Sequence, residues 1–257
     1  MERIRDRVAI VTGAAQGLGR AFAQRLAEEG AHVLAVDVLE SVHEGFASDR
    51  IHPLVADVSR RADVERIVGT AADLGTIAIL VNNAGQWKRT PVDSAWEQAI
   101  VDWDEIMDTN LRGVLMLSRA VVPHLVAAGG GDIIHISTYY VLPARSEGTN
   151  GIDTDLYNAS KWALNGFTDA WASRLARHHI RVNALCMGAV DTPMLRGLFP
   201  DQNLPERLEK VVLRPEAIAQ QLVDLLEDGR TGENVGAWVG EPVELGEPKR
   251  AHRRITG

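Results

Sequence analysis

The chain has 257 residues and a formal net charge of −8. That length fits one α/β domain, and that charge excludes a general nucleic-acid binder, whose surface is basic. The single cysteine, Cys186, excludes an intramolecular disulfide. No apolar run approaches the roughly 18 residues of a membrane span, and the short apolar stretch after the N-terminus is no signal-peptide core. The expectation is a cytoplasmic protein that binds neither membrane nor nucleic acid. No metal site is expected, since His178 and His179 are adjacent rather than one helical turn apart.

Short β-branched runs alternate with longer amphipathic ones. Val8 to Val11 reads as a buried strand, Leu18 to Glu29 as a helix stopped by Gly30, and His32 to Val36 as the next strand. Ile51 to Ala56 is a strand, Arg61 to Leu74 a helix and Ile77 to Val81 a strand. Trp103 to Ala127 reads as one long helix bent at Pro123, ended by Gly129-Gly130-Gly131. Ile133 to Ile136, Arg181 to Leu185 and Val235 to Val239 read as strands. Leu156 to His178 and Pro215 to Leu226 read as helices, the second opening on a proline at a tolerated position. This rhythm predicts a parallel sheet covered by helices on both faces, a three-layer, doubly wound Rossmann-type domain spanning 1–257. No linker divides the chain. Two polar loops follow strands, at about 142–155 and 194–210. The carboxyl ends of the strands are where such a sheet binds ligands.

After the first strand comes Thr12-Gly13-Ala14-Ala15-Gln16-Gly17-Leu18-Gly19. Glycines there allow a tight turn and close approach of backbone to a pyrophosphate, at a helix N-terminus that favours anions. The spacing is G-x-x-x-G-x-G, not the strict dinucleotide fingerprint. Asp37 ends the second strand twenty positions after Gly17, where a carboxylate accepts hydrogen bonds from adenosine ribose hydroxyls. It would repel a 2′-phosphate, and Val38 beside it offers no cation. NAD is therefore expected over NADP.

With these motifs in order, the sequence resembles the short-chain dehydrogenase/reductase family. The match is carried by Thr12-Gly13-x-x-x-Gly17-x-Gly19, Ala56-Asp57-Val58, Asn82-Asn83-Ala84-Gly85, Asn110, Ser137 and Tyr157-x-x-x-Lys161. The resemblance implies a homodimer or homotetramer acting on an alcohol or ketone. It implies Asp57 and Val58 at the adenine, and Asn83, Ala84 and Gly85 beside the adenosine ribose. Gly188, Val190 and Thr192 fall near the nicotinamide. Asn110, Ser137, Tyr157 and Lys161 become the catalytic set. Met187-Gly188 departs from the family's common Pro-Gly.

The chemistry is legible in the residue types. Oxidising an alcohol means removing a hydroxyl proton as well as a hydride. A tyrosine is a weak base until a nearby cation favours its phenolate. Tyr157 and Lys161, four apart, share one helix face. Ser137 ends a strand, where it could hydrogen-bond the substrate oxygen. The resemblance gives Asn110 a water-holding role. Tyr157 follows Ser137 by twenty positions rather than the family's usual dozen or so, so the loop between them is enlarged. Trp87, Tyr139 and Tyr140 could wall a cyclic or aromatic substrate. Arg145, Lys88 and Arg89 are candidate anion contacts, and Met194, Leu195, Leu198 and Phe199 candidate lid residues. Two other readings of the same scaffold stay open: a lyase or epimerase, and a non-catalytic nucleotide-binding sensor or scaffold.

Overall fold

Apolar runs without alternation belong to strands buried on both faces, and such runs form the inner strands of a sheet of seven whose two edge strands are only partly buried. The seven are β1 (Val8–Thr12), β2 (His32–Asp37), β3 (Ile51–Val55), β4 (Ile77–Asn82), β5 (Gly131–Thr138), β6 (Ile180–Met187) and β7 (Asn234–Ala237). Their order is β3-β2-β1-β4-β5-β6-β7, and every pair is parallel. The computed structural model describes residues 4–142 and 151–249. Pro53 lies in the edge strand β3, where a missing N–H is tolerated.

The larger helices are α1 (Gly17–Glu28), α2 (Arg61–Leu74), α3 (Trp96–Met107), α4 (Val114–Ala127) and α5 (Asp155–Leu175). Two short ones, α6 (Pro193–Arg196) and α7 (Glu206–Glu209), precede α8 (Pro215–Asp228). Phe22 and Leu26 of α1 join Ile218, Leu222 and Leu225 of α8 in the core on one sheet face. Ile67 of α2, Leu117 and Val121 of α4 and Ala172 of α5 fill the other. The architecture is the three-layer one expected. At the amino ends of β5 and β6, buried Arg181 grips Asp132 with two bonds of 2.7 and 2.9 Å and donates a third to the Leu226 carbonyl.

One expectation needs correcting. The predicted helix from Trp103 to Ala127 starts earlier, at Trp96, and its irregularity lies at Asp108–Gly113 rather than at Pro123. That segment is a π-helical turn, wider than α, and such turns are frequent at functional sites. It carries Asn110 inward, 1% exposed.

The strand order reverses between β1 and β4. The chain winds from β1 outward through β2 and β3, then returns beside β1 to wind the other way. Loops on either side of that reversal part company, leaving a crevice at the carboxyl ends.

Candidate active site

A cleft of about 890 Å³ occupies that crevice. Gly13, Gln16, Gly17 and Leu18 line it after β1, Asp37 after β2, and Asp57 and Val58 after β3. Asn83, Ala84, Gly85 and Trp87 follow β4. Ser137, Tyr139, Tyr157 and Lys161 come from β5 and α5, and Gly188, Val190, Thr192 and Met194 from the segment after β6. Most of the sequence candidates thus share one cavity. Arg145 lies outside the described residues.

Three candidates build the cleft without lining it. Gly13 turns with φ of +66°, a conformation glycine adopts freely. A Cβ on Gly19 would stand 2.0 Å from the Gly13 carbonyl oxygen, so the helix can press onto the turn only because Gly19 has none. Thr12 is 2% exposed. Its Oγ1 receives the N–H groups of Asn83 and Ala84, both at 3.0 Å, and donates to the Val81 carbonyl. The Asn83 side chain returns bonds to the Thr12 and Gly13 carbonyls at 2.8 and 3.1 Å. Thr12 is therefore a clip between β1 and β4. Asn110, the third, sits behind Gly85. It accepts the Gln86 N–H at 2.7 Å and donates to the Gln86 carbonyl at 2.9 Å and to Ser160 Oγ at 3.1 Å.

At the β2 end, Asp37 is 9% exposed. One carboxylate oxygen accepts the Ala15 N–H and the other the Leu39 N–H, each at 3.0 Å. Those bonds fix the carboxylate at the cleft wall and leave lone pairs for a ribose diol. Asp57 accepts the backbone N–H and hydroxyl of Ser59 at 2.8 and 2.7 Å.

Farther along, Lys161 is 5% exposed and donates to the Ile136 carbonyl at 2.8 Å. Burial pulls its ammonium down to about 8. Its Nζ lies 5.7 Å from the centre of the Tyr157 ring. The Tyr157 phenol is pushed up, by burial first and then by Tyr140, against a hydrogen bond from Thr138 that pulls it down. The net direction is upward because burial disfavours the charged phenolate.

The hydroxyl that meets Tyr157 belongs to Thr138, which sequence reasoning missed. Ser137 Oγ lies 3.5 Å from the Lys161 carbonyl and also bonds the buried Cys186 thiol, which burial pushes up to about 12. Successive strand residues face opposite ways, so the two neighbouring hydroxyls have different partners. Both hydroxyls nonetheless line the cleft that Tyr157 and Lys161 share.

Beyond them stands an aromatic wall. The Tyr139 and Tyr140 rings are 4.6 Å apart, and Tyr139 meets Trp238 edge-on at 6.0 Å. Burial pushes the Tyr140 phenol up to about 12. Met194, Leu195 and Leu198 come from α6 and the turn after it, and Phe199 does not reach the cleft. Thr192 caps α6 by accepting the Leu195 N–H at 3.3 Å. The ends of this segment are tied together. Asp191 donates its N–H to the Leu213 carbonyl, and Leu213 donates back to Ala189. The Asp191 carboxylate takes Arg196 at 2.6 Å and Arg214 at 2.7 Å, and Arg196 above all holds it below the usual carboxylate range. Met187 extends β6 opposite Ala237, and a Cβ on Gly188 would stand 2.8 Å from Val239, so the glycine is needed where the usual proline is not.

A family model described as short chain dehydrogenase matches residues 7–203. The chain belongs to that family. Among relatives of this short-chain dehydrogenase, the 3-oxoacyl-[acyl-carrier-protein] reductase FabG of Thermotoga maritima is 31% identical over 248 residues, 91% of this chain and 97% of the other. A solved 3-ketoacyl-(acyl-carrier-protein) reductase from Brucella melitensis, complexed with NADH, superposes with a TM-score of 0.78 at 28% identity, covering 93% of this chain and 99% of that one. A putative NAD(P)-dependent gluconate 5-dehydrogenase from Beutenbergia cavernae, with bound NADP, gives 0.77 at 29% identity and covers 90% and 95%. The dehydrogenase is thus an oxidoreductase-family protein on a nucleotide-binding scaffold. No described helix is long and apolar enough to cross a membrane.

Proposed function

We propose that this dehydrogenase moves a hydride between NAD and a secondary alcohol or its ketone, with a cyclic or aromatic body beside the reacting carbon. The observation that carries the reading is the gathering of Ser137, Tyr157 and buried Lys161 in one cleft that also reaches Asp37. The turn fits a dinucleotide. Gly13 and Gly17 line the cleft at positive φ beside the start of α1, where backbone N–H groups would meet a pyrophosphate. Gly13, Gln16, Gly17 and Leu18 would hold the phosphates, Asp37 the ribose, Asp57 and Val58 the adenine, and Val190 and Thr192 the nicotinamide side. Bound NAD supplies the hydride acceptor.

The chain's own residues handle the proton. Tyr157 takes it from the alcohol hydroxyl, and Ser137 donates to the oxygen on which charge develops. Lys161 holds positive charge beside the phenol. Asn110 fixes the Gln86 backbone against α5 and so holds that end of the wall. Met194, Leu195 and Leu198 form a lid over 194–210 that excludes water.

The support for NAD over NADP is the fixed Asp37 carboxylate, with Val38 59% exposed beside it. Trp96, Ile100 and Trp103, at helical spacing on α3, are 75%, 47% and 51% exposed, a face suited to a homodimer or homotetramer. A cytoplasmic setting agrees with the buried free thiol.

Purified protein, sized by light scattering, should form reduced nicotinamide from NAD⁺ and a panel of secondary alcohols. Tyr157→Phe should lose about a thousandfold in kcat. Activity with NADP⁺ alone would overturn the reading of Asp37. A monomer in solution would remove the assembly, and an active Tyr157→Phe the mechanism.

A further inference from the structure

Lys88 and Arg89 directly follow Trp87 in the cleft wall, and both are already engaged. Lys88 bridges to Asp102 at 2.5 Å and Glu105 at 2.8 Å, which hold its ammonium above the usual range. Arg89 bridges to Asp153 at 2.6 Å. Among the described residues that line the cleft, the charged side chains are Asp37, Asp57, Asp104, Glu105, Asp108 and Lys161. The single cation is buried at the phenol and donates to the Ile136 carbonyl. Everything else charged is a carboxylate, and Asp104 and Glu105 are exposed at the rim.

An anion entering such a cleft loses hydration and finds no free cation in return. Apolar walls also concentrate the field of the carboxylates across the opening. The Tyr139–Tyr140–Trp238 cluster asks for an apolar ring, and aromatic faces accept cations as well. Gluconate, in the name of one structural relative, is itself a carboxylate.

We propose that this site selects its alcohol by charge: it accepts uncharged or cationic aryl and alicyclic secondary alcohols and rejects those bearing a carboxylate, phosphate or sulfonate. Asp104 is the specificity-determining side chain, the Glu105 charge being shared with Lys88. This rests on the oxidoreductase reading above. The reaction balances as alcohol plus NAD⁺ giving ketone, NADH and a proton, the hydride leaving carbon and the proton leaving oxygen.

The test uses three probes of one shape: 1-phenylethanol, 4-(1-hydroxyethyl)benzoate and 4-(1-hydroxyethyl)-N,N,N-trimethylanilinium. Oxidation of each is followed by nicotinamide absorbance, and binding of each to the enzyme–NADH complex by nicotinamide fluorescence. The neutral and cationic probes should exceed the benzoate by at least about tenfold in kcat/KM or affinity, the scale of one like charge at close range. In the Asp104→Lys variant, the ratio of benzoate to neutral probe should rise by about tenfold or more. A benzoate that equals the neutral probe overturns the proposal, whether or not Arg145→Ala then abolishes its binding. If NADH binds but none of the three probes does, the charge and ring inference fails while the oxidoreductase reading stands. If NADH itself does not bind, that underlying reading fails.

Discussion

Where β1 and β2 end, the cleft wall is largely backbone: Gly13 at positive φ, Gly17 against Thr192, and an Asp37 carboxylate fixed by two N–H groups. Where β5 and β6 end, it is side chains on short helices and turns: Tyr139, Tyr140, Met194, Leu198. Backbone recognition suits a ligand whose phosphates and riboses never change, and it tolerates no added atoms. A side-chain wall can be altered residue by residue without moving a strand. On the proposed function, the first region holds the nucleotide and the second selects the alcohol.

The sharpest way to break that comparison is to change one side chain at each end. Gly19→Ala places a carbon against the Gly13 carbonyl, where backbone has nowhere to go. NADH affinity by fluorescence should fall at least about a hundredfold. Tyr139→Ala removes far more atoms and should leave NADH affinity within about threefold, since its ring faces the substrate end. Equal losses, in variants whose circular dichroism matches the parent, would erase the distinction. A smaller effect separates two neighbours. Ser137→Ala should lower kcat by about tenfold, and Thr138→Val by no more than about threefold. The reverse order would move the role to Thr138.

The smallest expected effect lies behind the substrate half. His135 is fully buried on β5, close to the Asn82 side chain and edge-on to Trp171. Burial first, and Lys161 second, pull it from 6.5 to about 3. Between those values the unfolded chain binds a proton that the folded chain does not. Stability from this group is whole above pH about 6.5 and is lost as pH falls toward about 3. Melting temperature should therefore drop less on acidification across that window in His135→Asn than in the parent, and an identical slope would show that His135 does not report the burial.

The backbone half was legible because its signals are local. Strands buried on both faces announce themselves as apolar runs, and the glycines, Asp37 and Tyr157-x-x-x-Lys161 keep fixed spacings. Which group faces the ligand was less legible. Thr12 and Asn83 look like cofactor contacts in sequence, and in space they clip β1 to β4. Ser137 and Thr138 are adjacent hydroxyls, so only the strand's pleat decides between them. Strand alternation was the available signal, but β5 ended at Ile136 in the sequence reading and at Thr138 in space. The π turn at Asn110 had no signal at all, since Pro123 was the more visible irregularity. Lys88 and Arg89 looked available because their partners, Asp102 and Asp153, are distant along the chain.

The pairing of Asp191 with Leu213 makes the lid a closed loop before any ligand arrives. Its ends are joined by main-chain bonds and by a carboxylate shared between Arg196 inside the loop and Arg214 just beyond it. Closure entropy grows only slowly with length, about 0.6 kcal/mol for each doubling. The segment between those anchors can lengthen, shorten or change composition at little cost to the sheet. A scaffold with one rigid nucleotide end then carries an exchangeable cover, and new substrates become accessible through insertions in the cover while the strands that hold the nucleotide stay as they are.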